Sequence, residues 1–124
     1  MERLRQRADF LAAASGSKVP SKSFVLQTRK RNDDGPVRIG FTVSKKVGNA
    51  VERNRVRRRL REVVRQSDAP RLQPGHDYVV IGRRTALNTP FEGLIEELNG
   101  ALRRLQATRS EKSPSRRPVR DAQG

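Results

Sequence analysis

A chain of 124 residues has the length of one small domain, and 28 Lys and Arg against 13 Asp and Glu leave it at +15, a self-repulsion that a polyanionic partner would relieve. No apolar run reaches the ~18 residues of a membrane span, there is no cysteine for a disulfide or thiolate metal site, and the first residues lack a signal-peptide apolar region. These features exclude a membrane partner and point to a nucleic-acid binder in the cytoplasm.

Taken in order, residues 7–14 hold Ala8 and Ala12 to Ala14 before a Ser-Gly-Ser stop and predict a short helix. Phe24, Val25 and Leu26 predict a strand over 23–29. Residues 37–43 alternate apolar Val37, Ile39, Phe41 and Val43 with Arg38, Gly40 and Thr42, the period of a half-buried strand. Between these two lies a turn-forming Asp33-Asp34-Gly35-Pro36, so the strands are expected to pair as an antiparallel hairpin. Residues 51–65 read as a helix, because Val56, Leu60, Val63 and Val64 recur at helical spacing. Tyr78 to Ile81 form a continuous apolar run suited to a strand covered on both faces. A last helix is expected from Thr89, with Pro90 at its first position, Glu92 completing a capping box, and an apolar face of Phe91, Leu94, Ile95, Leu98, Leu102 and Leu105. One domain over 1–106 follows, and 107–124, with five basic residues, two acidic ones and almost nothing apolar, are expected to form a disordered basic tail.

The strongest constellation lies at 44–66, with nine basic and two acidic side chains. A charge run is usually a solvated face, but such a face interleaves Glu with Arg at four-residue spacing, and here only Glu52 and Glu62 could do so. At 100° per residue, Asn54, Arg58, Arg61 and Arg65 project away from the apolar stripe, flanked by Arg55 and Arg59 on one side and Arg53 and Arg57 on the other. Arginine suits bidentate phosphate contacts and stacking on bases. Lys45 and Lys46 precede a Gly48-Asn49 turn whose free amides could also face a phosphate, extending the positive surface to the preceding strand.

Other candidates are weaker. His76, the only histidine, reads as an incidental surface residue. Asp33 and Asp34 read as turn residues, and Asp77 as a local cap or arginine partner. No pair of carboxylates suggests a two-metal nuclease centre, and the glycines make no nucleotide-binding loop.

From Arg38 through Ser44-Lys45-Lys46 and Arg53-Asn54-Arg55 to Glu62 the sequence closely resembles the protein subunit of bacterial ribonuclease P. A looser similarity spans 3–106 and includes Asp9-Phe10, Phe24 to Leu26, Asp77 to Ile81 and Arg83. The resemblance implies an α/β two-layer sandwich of order αβββαβα, with about four strands in a mixed sheet, three helices and a left-handed crossover through the basic helix. It also implies a strand around residues 18–21 that periodicity does not reveal. By the same resemblance, the partners are the catalytic RNA, one protein per RNA, and precursor tRNA, with no small-molecule substrate. The RNA, with Mg2+ bound mainly to it, removes the 5′ leader, and the protein itself is not catalytic. Carried over by position, the RNA-binding residues are Lys45, Lys46, Asn49, Arg53, Asn54, Arg55, Arg57, Arg58, Arg61 and Arg65, and the leader cleft includes Phe10 and Gln27. The family commonly has aromatics where this chain has Ala14 and Gln27, so leader stacking is expected to be weaker or rearranged here.

Three other readings fit parts of the pattern. A ribosomal protein accounts for charge, size and tail but not for Ser-Lys-Lys and Arg-Asn-Arg; a DNA-binding module would place the Arg-rich helix in a major groove; a stand-alone nuclease lacks an acidic metal cluster.

Overall fold

Tyr78 to Ile81 carry an apolar side chain at every position, and the strand they form, His76–Gly82, lies at the centre of a five-stranded sheet. The computed structural model describes residues 2–4, 6–31, 33–67 and 72–111. In chain order these form β1 (Glu2–Arg3), α1 (Arg7–Ala14), β2 (Ser17–Pro20), β3 (Phe24–Lys30), β4 (Arg38–Val43), α2 (Ala50–Gln66), β5 (His76–Gly82) and α3 (Phe91–Glu111). Single 3-10 turns lie at Lys45–Val47 and Arg84–Leu87. The sheet order is β1-β4-β5-β3-β2. β5 runs parallel to β4 and antiparallel to β3, and α2 connects the two parallel neighbours.

This order corrects the expected hairpin. β3 and β4 do not pair, because β5 lies between them and bonds to both. The fully apolar strand gains most from burial on two faces, and Arg31 and Gly35 bond to the residue before its entrance. There Arg31 N–H donates to Gly75 O at 2.7 Å and Gly75 N–H to Gly35 O at 2.8 Å. The strand implied near 18–21 is β2, paired antiparallel with β3, and the two-residue β1 adds an unforeseen parallel edge beside β4.

Strand alternation separates two apolar clusters. One face presents Phe24, Leu26, Ile39, Val43, Tyr78 and Val80 to Val56, Leu60, Val63 and Val64 of α2 and to Leu94, Leu98, Leu102 and Leu105 of α3. Each such Val or Leu, once fully buried, contributes about 1.5–3 kcal/mol of transfer free energy. The opposite face carries a smaller cluster, with Leu4, Ala13 and Val79 packed by Phe10 and Ile81, which seats α1. Phe10 approaches so closely that a Cβ on Gly40 would lie 2.6 Å from its ring.

Three further expectations change. Thr89 makes no capping box with Glu92; its hydroxyl donates to Thr85 O at 2.9 Å and meets Ser23 Oγ at 2.9 Å, tying the approach to α3 to the residue just before β3. His76 is buried, its Nδ1 2.9 Å from Pro74 O and its ring stacked on Tyr78, because alternation at the start of β5 turns it inward. α3 continues to Glu111, beyond the residue 106 at which the sequence suggests the domain ends. The rest of the tail, 112–124, falls outside the described residues.

Candidate nucleic-acid interface

The end of β4, the Lys45–Val47 turn and α2 form one continuous element, held at the junction by reciprocal bonds. Asn49 caps α2: its Oδ1 accepts from Glu52 N–H at 2.9 Å, and its own N–H donates to Glu52 Oε1 at 3.0 Å. The Asn49 amide is therefore occupied, and the expectation that it faces a phosphate is withdrawn. Gly48 has φ 156°, and a Cβ there would lie 2.1 Å from Glu52 Oε1, so the capping box requires glycine at this position. Arg53 Nη1 donates to Gly48 O at 3.0 Å, and Arg84, from the turn after β5, donates to Val47 O and lies 3.4 Å from Glu52 Oε2. Two arginines thus hold the turn by its carbonyls.

The ten candidate RNA-binding residues separate by their partners. Lys45, Lys46, Arg55 and Arg58 are exposed, and their side chains bond to no described residue. Arg53 is half-buried and serves the turn, Asn54 Oδ1 accepts from Arg57 Nη1 at 2.9 Å, and Asn49 serves the cap. The Arg61 guanidinium stands 5.8 Å from the centroid of the Phe41 ring. Arg65 Nε donates to Glu62 Oε1 at 2.9 Å; Arg65, then Gln66, hold the Glu62 carboxyl down to about 2. Both acids on the helix are therefore engaged by local donors, and the solvent-facing side is dominated by permanent positive charge. Arg59 instead reaches the residues leading into α3, donating to Thr89 O.

On the opposite face α1 and the sheet bound a groove of about 450 Å³. Phe10, Leu11 and Ala14 line one wall; Gln27, Phe41 and Ile81 contribute to the other. Both predicted cleft residues, Phe10 and Gln27, therefore meet here. Gln27 is 5% exposed, and its side-chain amide bonds to no described residue. Leu11 stands 60% exposed at the same groove.

Below the groove lies a charge network that the sequence hinted at only through Asp77. Its carboxylate is fully buried where the register aligns Arg29, Asp77 and Arg38 across three strands. Oδ1 accepts from Arg31 Nη1 at 2.6 Å and Arg38 Nε at 2.8 Å, and Oδ2 from Arg38 Nη2 at 2.9 Å and Arg29 Nη2 at 3.0 Å. Burial opposes its ionisation, but the hydrogen bonds from Arg38, Arg31 and Arg29 prevail and hold the group down to about 2. This is a structural pairing; among the described residues no three of His, Cys, Asp and Glu converge as a metal site.

Residues 1–106 match the family model described as Ribonuclease P. The chain belongs to the ribonuclease P protein family. It is 52% identical over 103 residues to the ribonuclease P protein component of Gluconacetobacter diazotrophicus, covering 82% of this chain and 89% of that one. Its identity to the Ruegeria pomeroyi protein component is 49% over 107 residues, covering 84% and 86% respectively. Among solved structures it resembles the Staphylococcus aureus RNase P protein, with TM-score 0.71, 29% identity, and 86% of this chain and 96% of that one covered. The RNase P protein of Thermotoga maritima gives TM-score 0.70 at 34% identity, covering 84% and 97%. The α+β fold with three helices and a mixed sheet agrees with those structures. As a ribonuclease P protein, the chain is a subunit of that RNA-processing enzyme, which sets aside the ribosomal alternative.

Residues such as Arg84 and Phe41 escaped sequence reasoning. Arg84 is one basic residue among many, and Phe41 occupies an inward position in an alternating strand. Only the limited reach of β1 leaves Phe41 bordering a groove.

Proposed function

We propose that the chain grips the catalytic RNA of ribonuclease P through the Lys45-to-Arg65 surface and receives the 5′ leader of precursor tRNA in the groove of Phe10 and Gln27. The observation that carries this is the set of four exposed cations, Lys45, Lys46, Arg55 and Arg58, whose side chains have no partner among the described residues, on an element anchored by a capping box and two arginine-carbonyl bonds. The anchored backbone presents these cations together without an ordering cost of its own, and each phosphate neutralised releases condensed counterions. In the groove, Phe10 and Leu11 supply apolar contact for an unpaired base, and the Gln27 side-chain amide, which bonds to no described residue, can both donate to and accept from a base edge.

The chemistry belongs to the RNA. We assign the Mg2+ that the family implies to the RNA partner, whose phosphate oxygens are ordinary ligands of this ion. The protein's arginines and free divalent ions neutralise the same phosphates, so protein binding lowers the magnesium required. One protein per RNA, acting in the cytoplasm, completes the reading. Reconstitution with ribonuclease P RNA, assaying 5′ maturation of precursor tRNA at low magnesium, tests it. The complex should cleave where the RNA alone does not; specific 5′ cleavage by the protein alone would overturn the division of labour.

A further inference from the structure

A second groove, of about 330 Å³, opens beyond Phe41 between the sheet edge and α2. Its apolar part comes from Ile39, Phe41 and Val64, and exposed Arg3, Arg61 and Arg65 also line it. It exists because β1 is so short. β1 pairs only with Arg38 and Ile39, and Leu4 N–H adds a bond to Ile39 O at 2.8 Å, but among the described residues no strand covers the β4 edge from Phe41 to Val43. Phe41 consequently borders both grooves.

Its lining limits what can occupy this groove. Three guanidinia stand against one carboxylate, Glu62, which is already bonded by Arg65 and Gln66. A purely apolar ligand would leave the cations unused. A duplex backbone offers phosphates but no flat apolar surface for Ile39, Phe41 and Val64. An unpaired nucleotide supplies both, and Arg61 beside the Phe41 ring provides a second planar group on which a base stacks. The groove is also continuous with the proposed interface, since Arg58, Arg61 and Arg65 follow one another along the solvent side of α2. The geometry points to a pocket for one unpaired RNA nucleotide, with its base against Phe41, Ile39 and Val64 and its phosphate between Arg3, Arg61 and Arg65. This inference rests on the RNA-binding reading of α2 and places single-stranded RNA beside that helix, outside the Phe10–Gln27 groove.

Methyl NMR on the full chain separates the two grooves, because Ile39 and Val64 line only the second and Val79 and Ile81 only the first. The probes are an oligouridylate of about ten nucleotides and an RNA duplex with the same number of phosphates. The single strand should move the Ile39 and Val64 methyl signals in a saturable way, and the duplex should leave them in place. Phe41→Leu should weaken single-strand binding about fivefold or more with an unchanged salt slope, since stacking releases no counterions. The pocket is refuted if the single strand binds without moving Ile39 and Val64, if the duplex moves them equally, or if Phe41→Leu binds as tightly as the parent. No binding of either RNA would remove the α2 interface and the pocket together.

Discussion

Arg38 grips the buried Asp77 carboxylate through two parallel hydrogen bonds, Nε to Oδ1 at 2.8 Å and Nη2 to Oδ2 at 2.9 Å, across the parallel register of β4 and β5. Arg29 and Arg31 complete the shell, so this one carboxylate ties β5 to both neighbouring strands and to Arg31 just beyond β3. Asp77→Asn leaves three guanidinia sharing a neutral partner and should destabilise the protein by about 3–5 kcal/mol, the scale for breaking a buried charge pair. Urea unfolding measures the loss.

The same carboxylate sets an acid limit on stability. Its folded pKa is lowered from 3.8 to about 2, so its contribution is complete above 3.8 and disappears as pH falls through about 2. The wild type should lose ~2 kcal/mol from this group over that interval. Asp77→Asn should show a correspondingly smaller decline, and parallel curves of unfolding free energy against pH would contradict the assignment.

The Asn49 cap can be kept while the charge beside Lys45 and Lys46 is changed. Asn49→Ala removes the cap and should cost ~1 kcal/mol of stability. Asn49→Asp retains an equally good cap, so melting temperature should recover, but a new negative charge beside Lys45 and Lys46 should keep RNA affinity below that of the parent. Equal recovery of stability and affinity would place the start of α2 beyond the reach of the RNA phosphates.

Arg58→Gln with Arg61→Gln removes two cations from the exposed side of α2. Circular dichroism should be unchanged, and the dependence of log affinity on log salt for ribonuclease P RNA should flatten by up to about two. An unaltered slope would place the interface elsewhere.

Gln27→Leu keeps the volume near the groove and removes the amide. Affinity for precursor tRNA should fall about fivefold, the scale of one neutral hydrogen bond, and affinity for a leaderless tRNA should stay constant. Equal losses for both substrates would detach Gln27 from the leader.

Much of the architecture could be read locally. The helix expected over 51–65 is α2, Ala50–Gln66, because its apolar spacing and lack of internal Gly or Pro depend on nothing outside the segment. The burial of β5 was likewise legible in four consecutive apolar residues, and the basic face of α2 follows from 3.6-residue geometry alone. The Phe10–Gln27 pairing came from family resemblance, since no local period relates residues on α1 and β3. What the sequence could not settle was which strand lies beside which. A hairpin turn at Asp33 to Pro36 is locally sound, yet pairing is decided by which strand loses most by staying exposed, and β5 displaced β4 from the side of β3. The partners of long arginine side chains were equally hidden: Arg31, Arg38 and Arg84 read alike in composition, and only packing sends two to Asp77 and one to Val47. Sequence periodicity thus determined which faces are apolar and which are basic, because side-chain direction repeats within each element. Tertiary structure alone decided that β1 stops short and leaves Phe41 between two grooves, because an open sheet edge depends on where a distant segment ends.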